Sequence, residues 1–513
     1  MGAPNNQHEV AIATRRYRTA KAIPATLLDH VTVCIEEGLY QEALSLLTSC
    51  LTAGNGTSRP ALVPPSRVLA VTATLTVHPS MTTRTSSKDK HAAAEEAVRY
   101  LTHLESLVGA KNARFRFAFH FQRSEDLRAN RARSRRALDS DEQEVESFRC
   151  VYAGQQSLWS QAEDFWHMVG WALNCSVAHK QRWHRWKFLL DVLLDALWEN
   201  DLLEANTQQY GDELEEDAFD DTMLAQCLET VGAGRNNKRR IMRAILADGS
   251  SKSVAEFGQI WENETAGPKV VQPQKKRRKL DIEHGDYGDY DMNSDDEMDV
   301  KPHQPSTQQS TMDDDVSTPE TVAGLGDLDA IRIRQRCLAL LAQLCVARPE
   351  AFLSIEDLFD LYVEFLRTLP LRLFQDLVMG LGAYLGEDSQ SSLYQMLLRP
   401  SIDATAPVYN KNELTQDDFE AHFAPYAANS SSLSENVKVS LIVEDSLRLL
   451  WKAGMLSYTE ELRRTVTRGI AARKEKVNAD GRRKTDDGTY EEECLRLSSS
   501  RLVMLLDIIQ HAQ

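Results

Sequence analysis

The sequence predicts an all-α protein: a multi-helix array of helical hairpins, TPR- or HEAT-like in its stacking, in two halves joined by a long disordered linker. Three observations carry this. Apolar residues recur with helical period, hydroxyl and carboxylate residues recur where helices should start, and the strict alternation of a half-buried strand is sparse. Between Trp183 and Leu203, the residues Trp186, Leu189, Leu190, Leu193, Leu194, Leu197 and Trp198 fall on one stripe, while Lys187, Asp191, Asp195 and Glu199 fall four apart on another. That is an amphipathic helix, with Lys187–Asp191 as a small i,i+4 contribution of a few tenths of a kcal/mol, roughly.

Further helices are expected near 25–37, 41–52, 92–108, 157–175, 328–347, 355–368, 371–386, 436–453, 458–477 and 498–510. Val68 to Val77 is rich in Val, Leu and Thr and reads as a strand in isolation; its helical surroundings favour another helix. Ser354-x-x-Asp357 and Ser457-x-x-Glu460 have the spacing of capping boxes, and Gly454 is placed to stop the helix that ends Leu449-Leu450-Trp451. Near the N-terminus, Gly38, Tyr40 and Ala43 have G-x-Y-x-x-A spacing. This resembles the turn of a tetratricopeptide repeat, where two helices cross closely and small residues relieve the steric conflict. The resemblance covers Ala25 to Thr52 only, without a second copy at the 34-residue period of that family, so it implies a helical hairpin and not a peptide-binding array.

Composition divides the chain. Residues 1–19 are expected to be disordered, 20–122 helical, 123–147 a charged loop, 148–265 a Trp-rich helical region, 266–326 a disordered linker and 327–512 a helical C-terminal domain. The linker has five prolines, five glycines, a Ser/Thr/Gln patch and almost no aliphatic periodicity, so it cannot bury enough apolar surface to offset its chain entropy. Within it lies Lys275-Lys276-Arg277-Arg278-Lys279, followed by an acidic, tyrosine-spotted stretch to Asp299. The basic run resembles a monopartite nuclear import signal of the kind that importin-α-type receptors grip, each cation entering an acidic, aromatic-walled pocket. Such runs also bind nucleic acid or anionic lipid. Ser294 and Thr318 have the surroundings of acidic-directed and proline-directed phosphorylation sites; phosphate there would add negative charge beside the basic run.

At 513 residues and 42% hydrophobic content the chain can form substantial cores, and its net charge of −17 argues against a general polyanion binder. The eight cysteines have no CxxC pair, which predicts reduced, packed thiols. The N-terminus has no apolar stretch of secretory type, and no uncharged run reaches membrane-spanning length, so no membrane partner is expected.

Six of the eight tryptophans lie between Trp159 and Trp198. They read first as bulky core and second as a partner surface, with Trp183, Arg185 and Trp186 the best candidate for an exposed patch. Three stretches are basic: Arg123 to Arg136; Arg235, Lys238, Arg239 and Arg240 with Arg243; and Arg463, Arg464, Arg468 and Arg473 on to Lys484. Each reads as a solvated face or as a phosphate contact, and convergence of two on one surface would favour nucleic acid.

Catalytic patterns are missing: Gly232-Ala-Gly234 lacks phosphate-loop spacing, and Gly380-Leu-Gly382 is better explained by close helix packing. Cys175, His179 and His184 lack a fourth zinc ligand at ordinary spacing, so no metal or other cofactor is expected. The functional expectation is a non-enzymatic nuclear scaffold or adaptor, a subunit of a chromatin, genome-maintenance or transcription-related complex, partnered by an import receptor and other nuclear proteins. Direct DNA or RNA binding through the basic patches is the alternative, and an enzyme of unrecognised type the second alternative.

Overall fold

A computed structural model describes residues 17–56, 59–121, 149–198, 222–229, 234–268, 324–409, 413–479 and 489–512. The basic run Lys275–Lys279, Ser294, Thr318, the Arg123–Arg136 stretch and Arg482 to Lys484 lie outside these residues.

The protein is all-helical, with nineteen α-helices among the described residues. The N-terminal half begins with a hairpin of α1 (Ala25–Glu36) and α2 (Tyr40–Thr52). Gly38 turns the hairpin at φ +77°, but a Cβ there would meet nothing within 4 Å. The glycine is required by the left-handed backbone and not, as the repeat resemblance suggests, by close helix crossing. Two short strands, β1 (Ala20–Ala22) and β2 (Ala61–Val63), pair in parallel across the hairpin, Ala20 opposite Ala61.

The ambiguous Val68–Val77 segment is helix α3 (Ser66–Val77). It is buried nearly all round, which is why no amphipathic period is legible in it. Its threonines return their hydroxyls to the helix: Thr72 to the Val68 carbonyl (2.8 Å), Thr74 to Ala70 (3.0 Å) and Thr76 to Ala73 (2.7 Å). The long α4 (Lys88–Ala113), capped by Ser87, packs on α2 and α3, and α5 (Phe115–Ala118) follows it.

The expected helix 157–175 is two elements, α6 (Leu158–Gln161) and α7 (Phe165–Ala178). Asp164 makes the break, leaving the helical conformation to accept the His167 amide at 2.7 Å as the N-cap of α7. Next come α8 (Lys180–Ala196), α9 (Met223–Glu229), α10 (Arg235–Ile245) and α11 (Ser251–Glu256). The last three were not foreseen.

The C-terminal half starts with α12 (Leu328–Ala347), capped by Asp327, and α13 (Ile355–Leu366), capped by Ser354 as its spacing predicts. The expected helix 371–386 is α14 (Leu371–Val378) followed by a tighter 3₁₀ turn, Met379–Ala383. Gly380 and Gly382 sit in that turn because Cβ atoms would lie 2.3 Å from Gln335 Nε2 and 2.4 Å from Gln390 Nε2, so close packing does account for them. After α15 (Glu387–Leu398) and α16 (Gln416–His422), α17 (Leu433–Lys452) ends where Gly454 takes φ +70°. There Met455 N–H reaches the Leu450 carbonyl and Gly454 N–H the Trp451 carbonyl, a Schellman ending. The start of α18 (Glu460–Asn478) corrects the second expected capping box: Thr459, not Ser457, accepts the Leu462 amide, and the Ser457 amide is taken by Gln416. The last helix, α19 (Thr489–His511), begins about two turns earlier than 498–510 suggests.

One hydrophobic core runs from α1 into α19, so both halves belong to the same compact unit, 1–267 with 322–513. A smaller cluster between α14, α17, α18 and α19 holds Leu371, Leu433, Val437, Leu441, Val477, Cys494 and Leu495. All eight cysteines are unpaired and buried, and among the described residues no helix is long and apolar enough to cross a membrane.

Candidate functional site: a clamp on helix α8

Helix α8 carries the residues that hold the chain on both sides of the 268–321 segment, at Glu264 before it and at Asp327 and Asp329 after it. Six consecutive residues, Arg182-Trp183-His184-Arg185-Trp186-Lys187, include all of them. Burial of this helix on several faces, driven by its Trp and Leu stripe, places polar ends of these side chains where only protein groups can satisfy them.

The outgoing stem is held by Glu264, fully buried at 0% exposure. One carboxylate oxygen accepts from Arg182 through Nε (2.9 Å) and Nη2, and from Trp186 Nε1 (3.0 Å). The other accepts the Ile260 and Trp261 amides at 3.2 and 3.3 Å. Arg182 completes its bonding at Thr82 Oγ1 (2.9 Å) and the Val77 carbonyl (2.6 Å), tying α3 into the same centre. Trp261 stacks on Trp186 with centroids 6.0 Å apart and meets His78 edge-on at 4.9 Å.

The returning stem is held at interleaved positions of the same helix, Trp183 and Lys187. Trp183 Nε1 donates to both oxygens of Asp327, at 3.1 and 3.0 Å, while Asp327 also caps α12. Lys187 pairs with Asp329 at 2.8 Å. Gly326 lies against α7, where a Cβ would come within 2.5 Å of Ser176 Oγ. Trp183 and Trp186 are three residues apart, about 4.5 Å of rise, so both stems are fixed to adjacent points of one helix.

This corrects the expected exposed patch. Trp183 and Trp186 are 3% and 0% exposed, and Arg185 is largely covered with Glu95 at 3.7 Å. The i,i+4 pair Lys187–Asp191 does not form either. Lys187 takes Asp329, and Asp191 takes Arg332 and Arg336 at 3.1 and 2.9 Å, so these charges join the two halves.

The basic residues of α10 have the same fate. Lys238 donates to the Phe352 carbonyl (3.0 Å), Arg239 pairs with Glu364, Arg240 with Asp164 (2.6 Å) and Arg243 with Glu256 (2.7 Å). Arg235 is mostly exposed, with Glu364 4.0 Å away. Arg334 on α12 is wholly buried and caps the C-terminus of α10 by donating to the Ile245 and Ala247 carbonyls at 2.9 and 2.8 Å; burial pushes its pKa down to about 9. On α18, Arg463 pairs with Asp507, Arg464 with Glu461 (2.8 Å), and Arg473 is buried on the Tyr426 carbonyl (3.1 Å), leaving Arg468 exposed. The helices α10 and α18 pack on different sets of neighbours.

A cleft of about 430 Å³ opens where α8, α12 and the 3₁₀ turn meet, lined by Asp195, Trp198, Arg332, Arg336, Ala383 and Tyr384. Arg336 already bonds Asp191 and Asp195, so the lining charges are largely matched. Among the described residues no three His, Cys, Asp or Glu side chains converge as a metal set; His179 ends α7 one turn from Cys175, its N–H on the Cys175 carbonyl at 2.9 Å. Glu264 and Asp327 were not foreseen, because a buried carboxylate reads in sequence like any surface one.

The fold and the clamp define an all-helical body with a long insertion rooted on one core helix. No protein-family model matches the chain, and no curated protein sequence matches it.

Proposed function

We propose that the protein is a non-enzymatic helical scaffold or adaptor that works in the nucleus, within a chromatin, genome-maintenance or transcription-related assembly. The observation that carries this reading is the clamp. On either side of the segment that bears Lys275–Lys279 the chain is held on α8, by Glu264 before it and by Asp327 after it, within one compact unit. A folded body that holds such a segment at its base suits stoichiometric binding: a receptor of the importin-α type reads the basic run, and the body supplies helix faces to other proteins. The engagement of Lys238, Arg239 and Arg240 with groups of the chain itself, and the burial of Arg473, support protein contact over phosphate contact as the main mode.

The test is localisation of the tagged full chain with Lys275, Lys276, Arg277, Arg278 and Lys279 changed to alanine. Loss of nuclear accumulation, with partners in nuclear extract that survive nuclease treatment of the wild type, is the expected outcome. Unchanged localisation removes the address, and partners that vanish with nuclease move the reading to direct nucleic-acid binding.

A further inference from the structure

Among the described residues, the outer face of α19 carries an exposed apolar seam, bordered at Tyr490 by Arg372 over its ring at 4.3 Å and by Gln375, which accepts its hydroxyl at 2.7 Å. Tyr490, Leu497 and Met504 recur every seven residues, with His511 next in the series, and Ile508 lies one turn beyond Met504. All four apolar members are exposed, Met504 to 60%. The helix beneath is α17, and the two run parallel: Ser440 Oγ meets Ser498 Oγ at 2.9 Å, and Glu444 meets Arg501 Nε at 2.6 Å. The same offset brings exposed Trp451 level with Ile508, with exposed Met455 just beyond. Contiguous exposed apolar groups at heptad spacing on a long helix are the signature of a helix-packing surface.

We propose that this seam pairs with the same seam of a second copy of the chain, α19 against α19, antiparallel about a twofold axis beside Ser500 and Arg501. The pattern is self-complementary under that rotation. Leu497 comes opposite Met504, Tyr490 opposite His511, and the small Ser500 lies next to the axis, where the helices approach most closely. The charges choose the same direction. Glu491 and Glu492 lie in the first turn of α19 with Glu493 next to them, while Lys452 lies in the last turn of α17 with Arg448 one turn before it, level with the far end of α19. Antiparallel pairing sets the acidic end of one copy beside the basic end of the other; parallel pairing sets like charges together. Arg448 also reaches the buried carboxylate of Glu444, while the pairs of Arg448 with Asp445, Lys452 with Glu387 and Glu493 with Arg496 are more open to solvent, where a partner can share or replace them. Helix α19, at 23 residues, is about 35 Å long. Two such helix pairs meeting face to face would form a four-helix interface, the arrangement in which a stable dimer commonly buries about 800 Å² per partner.

The experiment is sedimentation velocity on the full chain up to about 50 µM, with three variants. Wild type is expected to form a reversible dimer of twice the 57.8 kDa chain mass. The double variant Leu497→Glu, Met504→Glu, at exposed positions where circular dichroism should not change, is expected to raise the dissociation constant at least roughly tenfold. Ser500→Cys should form an interchain disulfide under mild oxidant, whereas Arg464→Cys, exposed on α18, should not. A chain that stays monomeric overturns the proposal, including the case in which the seam takes a different protein. So does a dimer indifferent to the double variant, or equal crosslinking at 464 and 500.

Discussion

Replacing Glu264 by alanine removes the acceptor on which the outgoing stem, α8 and α3 converge. Five N–H groups point at that carboxylate: two from Arg182, one from Trp186 and the amides of Ile260 and Trp261. Arg182 is 2% exposed, so its guanidinium would keep its charge in the interior with only neutral partners left, the hydroxyls of Thr82 and Thr83 and the Val77 carbonyl. Breaking a buried ion pair from one side costs about 3–5 kcal/mol, and each amide left without an acceptor adds about 1 kcal/mol or more unless the stem shifts to admit water. The expected loss is therefore at least about 4 kcal/mol. Glu264→Gln keeps the shape and one acceptor oxygen and should lose about half as much. The double variant Arg182→Met, Glu264→Leu removes both charges with their desolvation and should recover most of the loss. Urea unfolding followed by tryptophan fluorescence measures all three, since Trp186 and Trp261 stack inside the network. A loss below about 1 kcal/mol for Glu264→Ala, or a double variant as unstable as the single one, would refute the reasoning.

Two further outcomes follow from single positions. A Cβ at Gly469 would lie 1.9 Å from the Ala424 carbonyl oxygen, so Gly469→Ala should lower stability by more than about 2 kcal/mol, although glycine to alanine inside a helix ordinarily stabilises; a raised melting temperature would contradict this. Burial holds the His78 pKa down to about 4 from its ordinary 6.5, while the unfolded imidazole takes its proton below 6.5. The unfolded chain then binds more protons between those values, so stability present above pH 6.5 falls by at most about 3 kcal/mol as pH drops to 4. Replacing His78 by Gln should flatten that part of the stability–pH curve, and an unchanged slope would show that other groups carry it.

Much of the fold is legible in the sequence where periodicity and caps agree. Helix α8 shows its stripe because one face remains partly polar, α13 is announced by Ser354 and Asp357, and the end of α17 by Gly454. Reading fails where burial is uniform or the cap lies inside an apolar run. Helix α3 has no polar face to set a period, and Asp164 splits a stretch that is otherwise a continuous helical pattern. Helices α9, α10 and α11 are short, and α10 is so rich in Arg and Lys that it reads as a solvated patch.

The sequence by itself determined the helical class, the reduced and buried cysteines, the close packing at Gly380 and Gly382, and the position of a central segment unlike its flanks. Only the tertiary structure decided what the charged and aromatic residues are for. Trp183, Trp186, Arg182, Lys238 and Arg239 look the same in sequence whether they face solvent, a partner or a carboxylate far along the chain. Their roles are set by non-local partners: Asp327 lies 144 residues from Trp183, and Glu264 lies 82 from Arg182. Short-range pattern reports which face of a helix is apolar, but the pairing of a buried charge depends on which distant segment folds against it.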